Sequence, residues 1–258
     1  MDLKELKELF PPRRATTCIV CHESIPVGAK DAMTNGSKSE PKWQFAHRGC
    51  LPKPEVVAKP EFNAYTADLA TQIDNQLREI SPERAPEFTK MWAIYRTSFC
   101  TSPGAHKRDY HHCWKGGLAH HSLSVLNYAL RLADSVGLLG DGNHKTRESI
   151  TICALFHDLG KADGYYLPVE DDWKRNRGEL YFYNKEWSGS HAQRSLYMLQ
   201  QHVTLTTEEY RAIMLHDGQY VEANRRFSMN EPDLALVIHW ADLWDARHAD
   251  PKPETAEE

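Results

Sequence analysis

Apolar residues recur every four positions at Tyr65, Leu69, Ile73 and Leu77, and at three-to-four spacing through Phe88, Met91, Trp92 and Tyr95. Both segments are therefore predicted to be helices that pack by one face. Further helical patterns run over 116–137, 146–160, 189–202, 207–217 and 232–247. Two of these carry start signals: Thr206 stands three residues before Glu209, as in a capping box, and Asn230 with Pro232 suits a helix entrance. Within 116–137, Leu118, Val125, Ala129, Leu132 and Val136 form an apolar stripe on which His121 falls, and Leu123, Leu126 and Leu130 form its neighbour. His120 instead shares a stripe with Ser124, Asn127, Arg131 and Asp134, so His121 is expected to point inward and His120 toward a wetter surface. Only 165–184 reads as extended: Tyr165 to Val169 and Glu179 to Tyr183, joined by a polar stretch ending Arg-Asn-Arg-Gly, predict a β-hairpin laid over the helices.

Three prolines between 51 and 60 disfavour helix and mark a stiff linker, which separates a module at 1–60 from a helical domain at 61–248. The last residues, 249–258, are acidic and proline-bearing and read as a disordered tail. At 258 residues and 41% hydrophobic, the chain has enough apolar material for one substantial core beside a small module. Its longest apolar runs fall short of the roughly 18–20 residues a bilayer span needs, so no membrane passage is expected. The mixed-charge N-terminus lacks the pattern of a secretory signal, which points to a reducing cytoplasm. There the six cysteines are expected to be metal ligands or buried thiols. Charge is uneven, with net +3 over residues 1–60 and net −8 beyond them.

Cys18 and Cys21 are followed, after 25 residues, by His47 and Cys50, two pairs with the spacing that lets three thiolates and an imidazole close tetrahedrally on zinc. A module this small needs such a staple, since metal binding supplies folding energy that its few large apolar residues do not. Cys18 to His22 also fits a c-type haem attachment motif, a chemistry that belongs outside the cytoplasm, and a redox dithiol would leave His47 and Cys50 without a purpose. Lys38, Lys42, Trp43, Phe45 and Arg48 mix cations with aromatics, as single-strand nucleic-acid surfaces do, but a zinc-stapled packing or protein-contact module is the favoured reading.

In the helical domain, polar donors recur on or beside apolar helical faces: His121, then His157 and Asp158 after an almost wholly apolar helix, then His191, His216 and Asp242. A carboxylate at the end of a buried helix costs several kcal/mol unless a cation meets it, and a divalent metal is the economical partner. This ordered set, with Gly116-Gly117-Leu118 leading in and Gly160-Lys161 after the His-Asp pair, resembles the HD-domain metal-dependent phosphohydrolases over residues 110–247. The stretch from His111 to Ser122 is similar to the HD domains of bacterial 3′-to-5′ exoribonucleases and of phage-associated HD hydrolases. The segments Ser190–Ser195 and Ala212–His216 look closest to the second group. Ala192-Gln193 stands where several relatives carry Gly-Glu, which puts one contact near the site in question.

The resemblance implies an all-helical core with a metal-binding cleft; with the β-hairpin and the zinc-stapled module read above, the expected fold is mainly α, a helical HD-domain bundle with a short β-hairpin insertion and a small module before it. It also implies one metal held by His121, His157, Asp158 and Asp242, and a second completed by His191 and His216 with Asp158 bridging. Imidazole and carboxylate donors suit one or two divalent ions of Mn, Fe, Co or Ni. Lys161 is placed to neutralise phosphate charge beside catalytic Asp158; Lys115, Arg194 and the hairpin's Lys174, Arg175 and Arg177 are substrate-contact candidates. His111, His112 and His120 are candidates for an outer layer or a general acid, His120 foremost.

The function expected is hydrolysis of a phosphodiester in an oligonucleotide or cyclic nucleotide, through metal-bound hydroxide. A nucleotide or single-stranded nucleic acid is the expected substrate. The net-negative main domain keeps a nucleoside mono- or triphosphate open as substrate, and a non-catalytic metal- or nucleic-acid-binding regulator is the rival from another class. For the zinc module, metal analysis of a 1–60 fragment is expected to find one equivalent of zinc, lost in Cys21→Ser. A fragment that folds without zinc would overturn the four-ligand set.

Overall fold

The computed structural model divides the chain into two units, Met1–Lys59 and Pro60–Glu258. The structure describes residues 8–9, 16–18, 23–25, 32–34 and 45–47 of the first, and 61–140, 144–187, 189–249 and 251–256 of the second. In the first unit, β1 (Glu8–Leu9), β4 (Ala32–Thr34) and β5 (Phe45–His47) form an antiparallel sheet in the order β1-β4-β5. β2 (Thr16–Thr17) pairs with β3 (Ser24–Ile25). Cys18 is buried, and its amide donates to the Glu23 carbonyl at 2.8 Å. Cys21, Cys50 and the His47 side chain lie outside the described residues, as do Lys38, Lys42, Trp43, Arg48 and the Phe45 side chain, so the zinc expectation falls outside the description too.

The second unit is mainly helical. α1 (Ala64–Leu77) starts at Asn63, whose side chain caps Thr66 in a reciprocal box, and buries Leu69, Ile73 and Leu77. α2 (Ala85–Thr101) buries Phe88, Met91 and Trp92. α3 (Gly117–Ser135) packs against α1, α2, α4 (His144–Phe156) and α8 (Asp233–His248), and so forms the centre of the bundle. α6 (His191–Gln200) and α7 (Thr207–Leu215) complete it, both begun by capping boxes, Ser190 with Gln193 and Thr206 with Glu209. Gln193, the departure from the relatives' pattern, accepts the Ser190 amide. Rings of Phe88, Trp92 and Phe99 pack on Phe156, with centroids 6.1–6.2 Å away, so the last residue of α4 is clamped by the aromatic core.

Strands β6 (Tyr166–Pro168) and β7 (Tyr181–Tyr183) pair antiparallel, Tyr166 opposite Tyr183, as the alternation predicts; the polar connection holds one short helix, α5 (Asp172–Asn176), capped by Asp171. Val136, predicted on the inner stripe, is largely exposed, because α3 ends at Ser135. Of the expected tail, residues 251–256 are described and bury Ala256. No helix among the described residues is long and apolar enough to cross a membrane.

Two predicted helices end early. The pattern over 146–160 gives α4 ending at Phe156, and that over 207–217 gives α7 ending at Leu215. After α4 the chain turns at Asp158 (φ −105°, ψ 13°) into a single 3₁₀ turn, Leu159–Lys161. That turn is seated on α6: the Gly160 amide donates to Ser195 Oγ at 2.7 Å, and the Ser195 hydroxyl donates to the His191 carbonyl. A Cβ at Gly160 would collide with the His191 carbonyl oxygen and the Ser195 amide, which only glycine avoids. Gly160→Ala is therefore expected to cost about 1–3 kcal/mol and to lower Tm by roughly 2–10 °C. Calorimetry checks it, and an unchanged Tm would show that the turn has room the structure does not.

Candidate metal centre

Each early helix end delivers a His-Asp pair, His157-Asp158 after α4 and His216-Asp217 after α7. The last carbonyls of a helix lack intrahelical donors. His157 Nδ1 donates to the Ala154 carbonyl at 2.9 Å, and His216 Nδ1 to the Ile213 carbonyl at 2.7 Å. His121, on the inner face of α3, donates from Nδ1 to Asp245 Oδ2 at 2.6 Å. In their neutral form all three rings therefore hold the lone pair on Nε2, the tautomer a metal ligand needs.

Those Nε2 atoms converge. His121 and His157 stand 3.1 Å apart at Nε2, with Asp242 Oδ1 3.1 Å and 3.8 Å from them. His191 and His216 also face each other at 3.1 Å. Asp158 lies between the two imidazole pairs: Oδ2 is 3.5 Å from both His121 and His157, and Oδ1 is 3.3 Å from His191 and 3.5 Å from His216. All six donors expected from the sequence are thus gathered in one cluster.

The donor set fits cations. Lone pairs facing at 3.1 Å repel unless a proton or a metal lies between them, whereas ligands bonded to one ion at about 2.0–2.2 Å lie about 3.0–3.5 Å apart. Asp158 Oδ1 is buried and makes no hydrogen bond. Among the described residues, four carboxylates, Asp158, Asp217, Asp242 and Asp245, stand around the cluster with the Lys161 ammonium. Burial opposes charge on His216, but the carboxylates of Asp217, Asp158 and Asp242 overcome it and push its pKa up to about 9. His121 is also raised, its burial outweighed by Asp158, Asp242 and Asp245, while burial holds His157 below its ordinary value. Protons and metal ions compete for these nitrogens.

Two residues escaped the sequence reading. Asp245, buried three positions after Asp242 on α8, takes N–H bonds from both His121 Nδ1 and His112 Nε2, each at 2.6 Å. Its i+3 spacing from Asp242 was the available signal. Asp217 Oδ2 lies 3.3 Å from His191 Nε2, and its pKa falls to about 2, where burial is outweighed by His216 and His191. It repeats the His-Asp dipeptide of His157-Asp158. His112, a candidate outer-layer residue, is buried at φ 56°, and its carbonyl abuts Gly117 so closely that a Cβ there would overlap it. The glycine pair at the start of α3, Gly116 as its cap and Gly117 as its first residue, lets the helix begin against this strained residue.

The other expected positions fare differently. Lys161 Nζ is 2.6 Å from Asp158 Oδ2; burial works against its charge, but that carboxylate raises its pKa, so it stays cationic. His111 packs its ring on His121, and burial with its cationic neighbours drops its pKa to about 3, which favours the neutral ring. His120 shares a 2.9 Å hydrogen bond with Tyr65 and packs on His112 and Trp114, behind the donor cluster and not in it. Arg194, expected to contact phosphate, is corrected: its buried guanidinium donates to the carbonyls of Gly160, Ala162 and Asp163 and lies over Trp187, so it braces the turn that carries Lys161. Lys115 is half-buried before the glycine pair. Lys174, Arg175 and Arg177 lie in and just after α5, where Arg177 covers the Trp173 ring and Arg175 reaches the Val169 carbonyl.

A helical bundle that buries facing imidazole pairs around a shared carboxylate defines a metal-binding helical domain. Residues 118–247 match the family model of the HD domain, and the chain belongs to that family. This membership, with the His/Asp cluster, implies metal-dependent phosphohydrolase activity. No curated protein and no solved structure matches the chain. The geometry separates the neighbouring histidines. His121→Ala is expected to lower metal occupancy and abolish hydrolysis together, while His120→Ala keeps its metal. Plasma emission beside turnover measures both, and the reverse outcome would place the cleft on the other face of α3.

Proposed function

We propose that the domain hydrolyses a phosphodiester in an oligonucleotide or cyclic nucleotide, with Mn, Fe, Co or Ni ions held by His121, His157, Asp158 and Asp242 and by His191 and His216. The observation that carries this reading is the division of the Asp158 carboxylate between two imidazole pairs. Ions bound there supply Lewis-acid polarisation of a phosphoryl oxygen and an activated water. The chain contributes the rest. Lys161, anchored on Asp158 yet still reaching solvent, meets a non-bridging phosphate oxygen. Asp217 reaches the metal-facing Nε2 of His191 and stands as a further donor beside His191 and His216, Asp245 orients His121 from its Nδ1, and His111 packs on the His121 ring.

The charge count favours a diester. A diester brings one negative charge, whereas a terminal mono- or triphosphate brings two or more into a site with four carboxylates, and Arg194 is spent inside the fold. The first unit, with its net positive charge, is the proposed holder of a longer single strand. With Mn²⁺, dinucleotides and cyclic nucleotides are expected to turn over faster than nucleoside mono- and triphosphates. Asp158→Asn is expected to slow them by roughly a hundredfold or more. A preference for the triphosphate would replace the diester reading, and silence with every metal would favour a binding role.

A further inference from the structure

Beside the donor cluster lies a group of aromatic rings that the hydrolysis itself does not use. His106 is at its centre. Its ring meets Tyr110 edge-on at 5.1 Å, Tyr183 at 4.9 Å and Tyr166 nearly parallel at 6.1 Å, and Tyr183 Oη and His106 Nδ1 approach to 3.4 Å. Three backbone segments hold these rings: Tyr166 and Tyr183 face each other across β6 and β7, and the Tyr181 amide donates to the His106 carbonyl. Tyr165 packs edge-on against Tyr166 and Tyr183, and the Lys107 ammonium lies 5.7 Å from the centre of the Tyr110 ring, but Tyr110 remains 48% exposed and Tyr183 49%.

Two short tethers tie the group to the metal centre. Tyr110 is followed directly by His111, whose ring lies on His121 at 5.5 Å. Tyr166 stands five residues after Lys161, close enough for the charges of Lys161 and Asp158 to act on its hydroxyl. Tyr110 also lines a hollow with His111, Arg108, Asp109, Arg247 and Lys252, so cationic side chains continue beyond the rings.

We infer that His106, Tyr110, Tyr166 and Tyr183 form a nucleobase-stacking subsite that positions the base of a nucleotide whose phosphate lies at Lys161 and the metals. Partly exposed aromatic side chains beside a phosphate-binding point suit a base bonded through its sugar to that phosphate, because each base offers a π-face to stack. The inference rests on the phosphodiesterase reading for the position of the phosphate, but base recognition is measurable without turnover.

The test is equilibrium binding of adenosine 5′-monophosphate and of ribose 5-phosphate to the full Mn²⁺-loaded chain by calorimetry. Wild type, Tyr110→Ala, Tyr183→Ala and the bulk-retaining Tyr110→Leu are compared, with metal content measured on each. Wild type is expected to bind the base-bearing ligand about tenfold tighter, and the variants to lose most of that preference while keeping their metal and their ribose 5-phosphate affinity. Equal binding of the two ligands by wild type, or a preference that survives in all three variants, would overturn the subsite. Base preference without hydrolysis of any diester would sink the phosphodiesterase reading and leave the subsite standing.

Discussion

The carboxylate of Asp158 is the constraint from which the rest of this domain follows. It is wholly buried, one oxygen has no hydrogen bond, and an uncompensated ion in that position costs several kcal/mol. Its surroundings are correspondingly cationic or able to become so: one ammonium at 2.6 Å and four imidazole nitrogens within 3.5 Å. The turn that holds it is fixed from outside by Arg194 on three carbonyls and by Ser195 on the Gly160 amide. Mobile backbone would trade this geometry for hydration, so a buried arginine devoted to main-chain oxygens is part of the site's electrostatics, though it touches no donor.

The second requirement is that each imidazole present the correct nitrogen. α4 and α7 meet it in the same way, stopping one residue short of a histidine so that Nδ1–H satisfies a carbonyl of the last turn. The negative end of each helix then points at the place where cations are wanted. α3 cannot use this device, because His121 lies inside the helix, where carbonyls already have partners. A carboxylate from α8, Asp245, takes over the role. The packing of α3 on α8 is thereby a functional contact as well as a structural one.

Helical periodicity made the bundle legible, because apolar stripes report which face is buried: of the positions given, Leu69, Ile73, Leu77, Phe88, Met91, Trp92, Leu118, His121, Val125, Leu126 and Ala129 are buried, Tyr65, Tyr95, Leu123, Leu130 and Leu132 partly so, and Val136 is exposed. The hairpin was readable from its alternation, and the order of His and Asp residues exposed the donor set. Periodicity could not show where α4 and α7 stop, since apolar character continues past the break and the backbone turns there for the sake of side-chain direction. Nor could it separate Arg194 from a phosphate ligand. A guanidinium one turn beyond His191 looks the same in sequence whether it points outward or is folded back under Trp187. Asp217 and Asp245 were hidden for a related reason: an acidic residue near a helix end usually faces solvent, and only tertiary packing turns these two inward.

A tension in the charge distribution resolves at the rim of the site. The domain after residue 60 carries net −8, a poor background for a protein that grips nucleic acid by its phosphates. Aromatic stacking does not depend on that background, since it acts on the base faces and is little screened by salt. On the proposed reading, the Lys161 ammonium at the centre and the aromatic group at its side would suit one or two nucleotides at the scissile bond better than a long strand. If the net-positive first unit holds a longer strand, as proposed, the salt dependence of binding would come from that unit, while the choice of substrate at the metal centre would come from the rings.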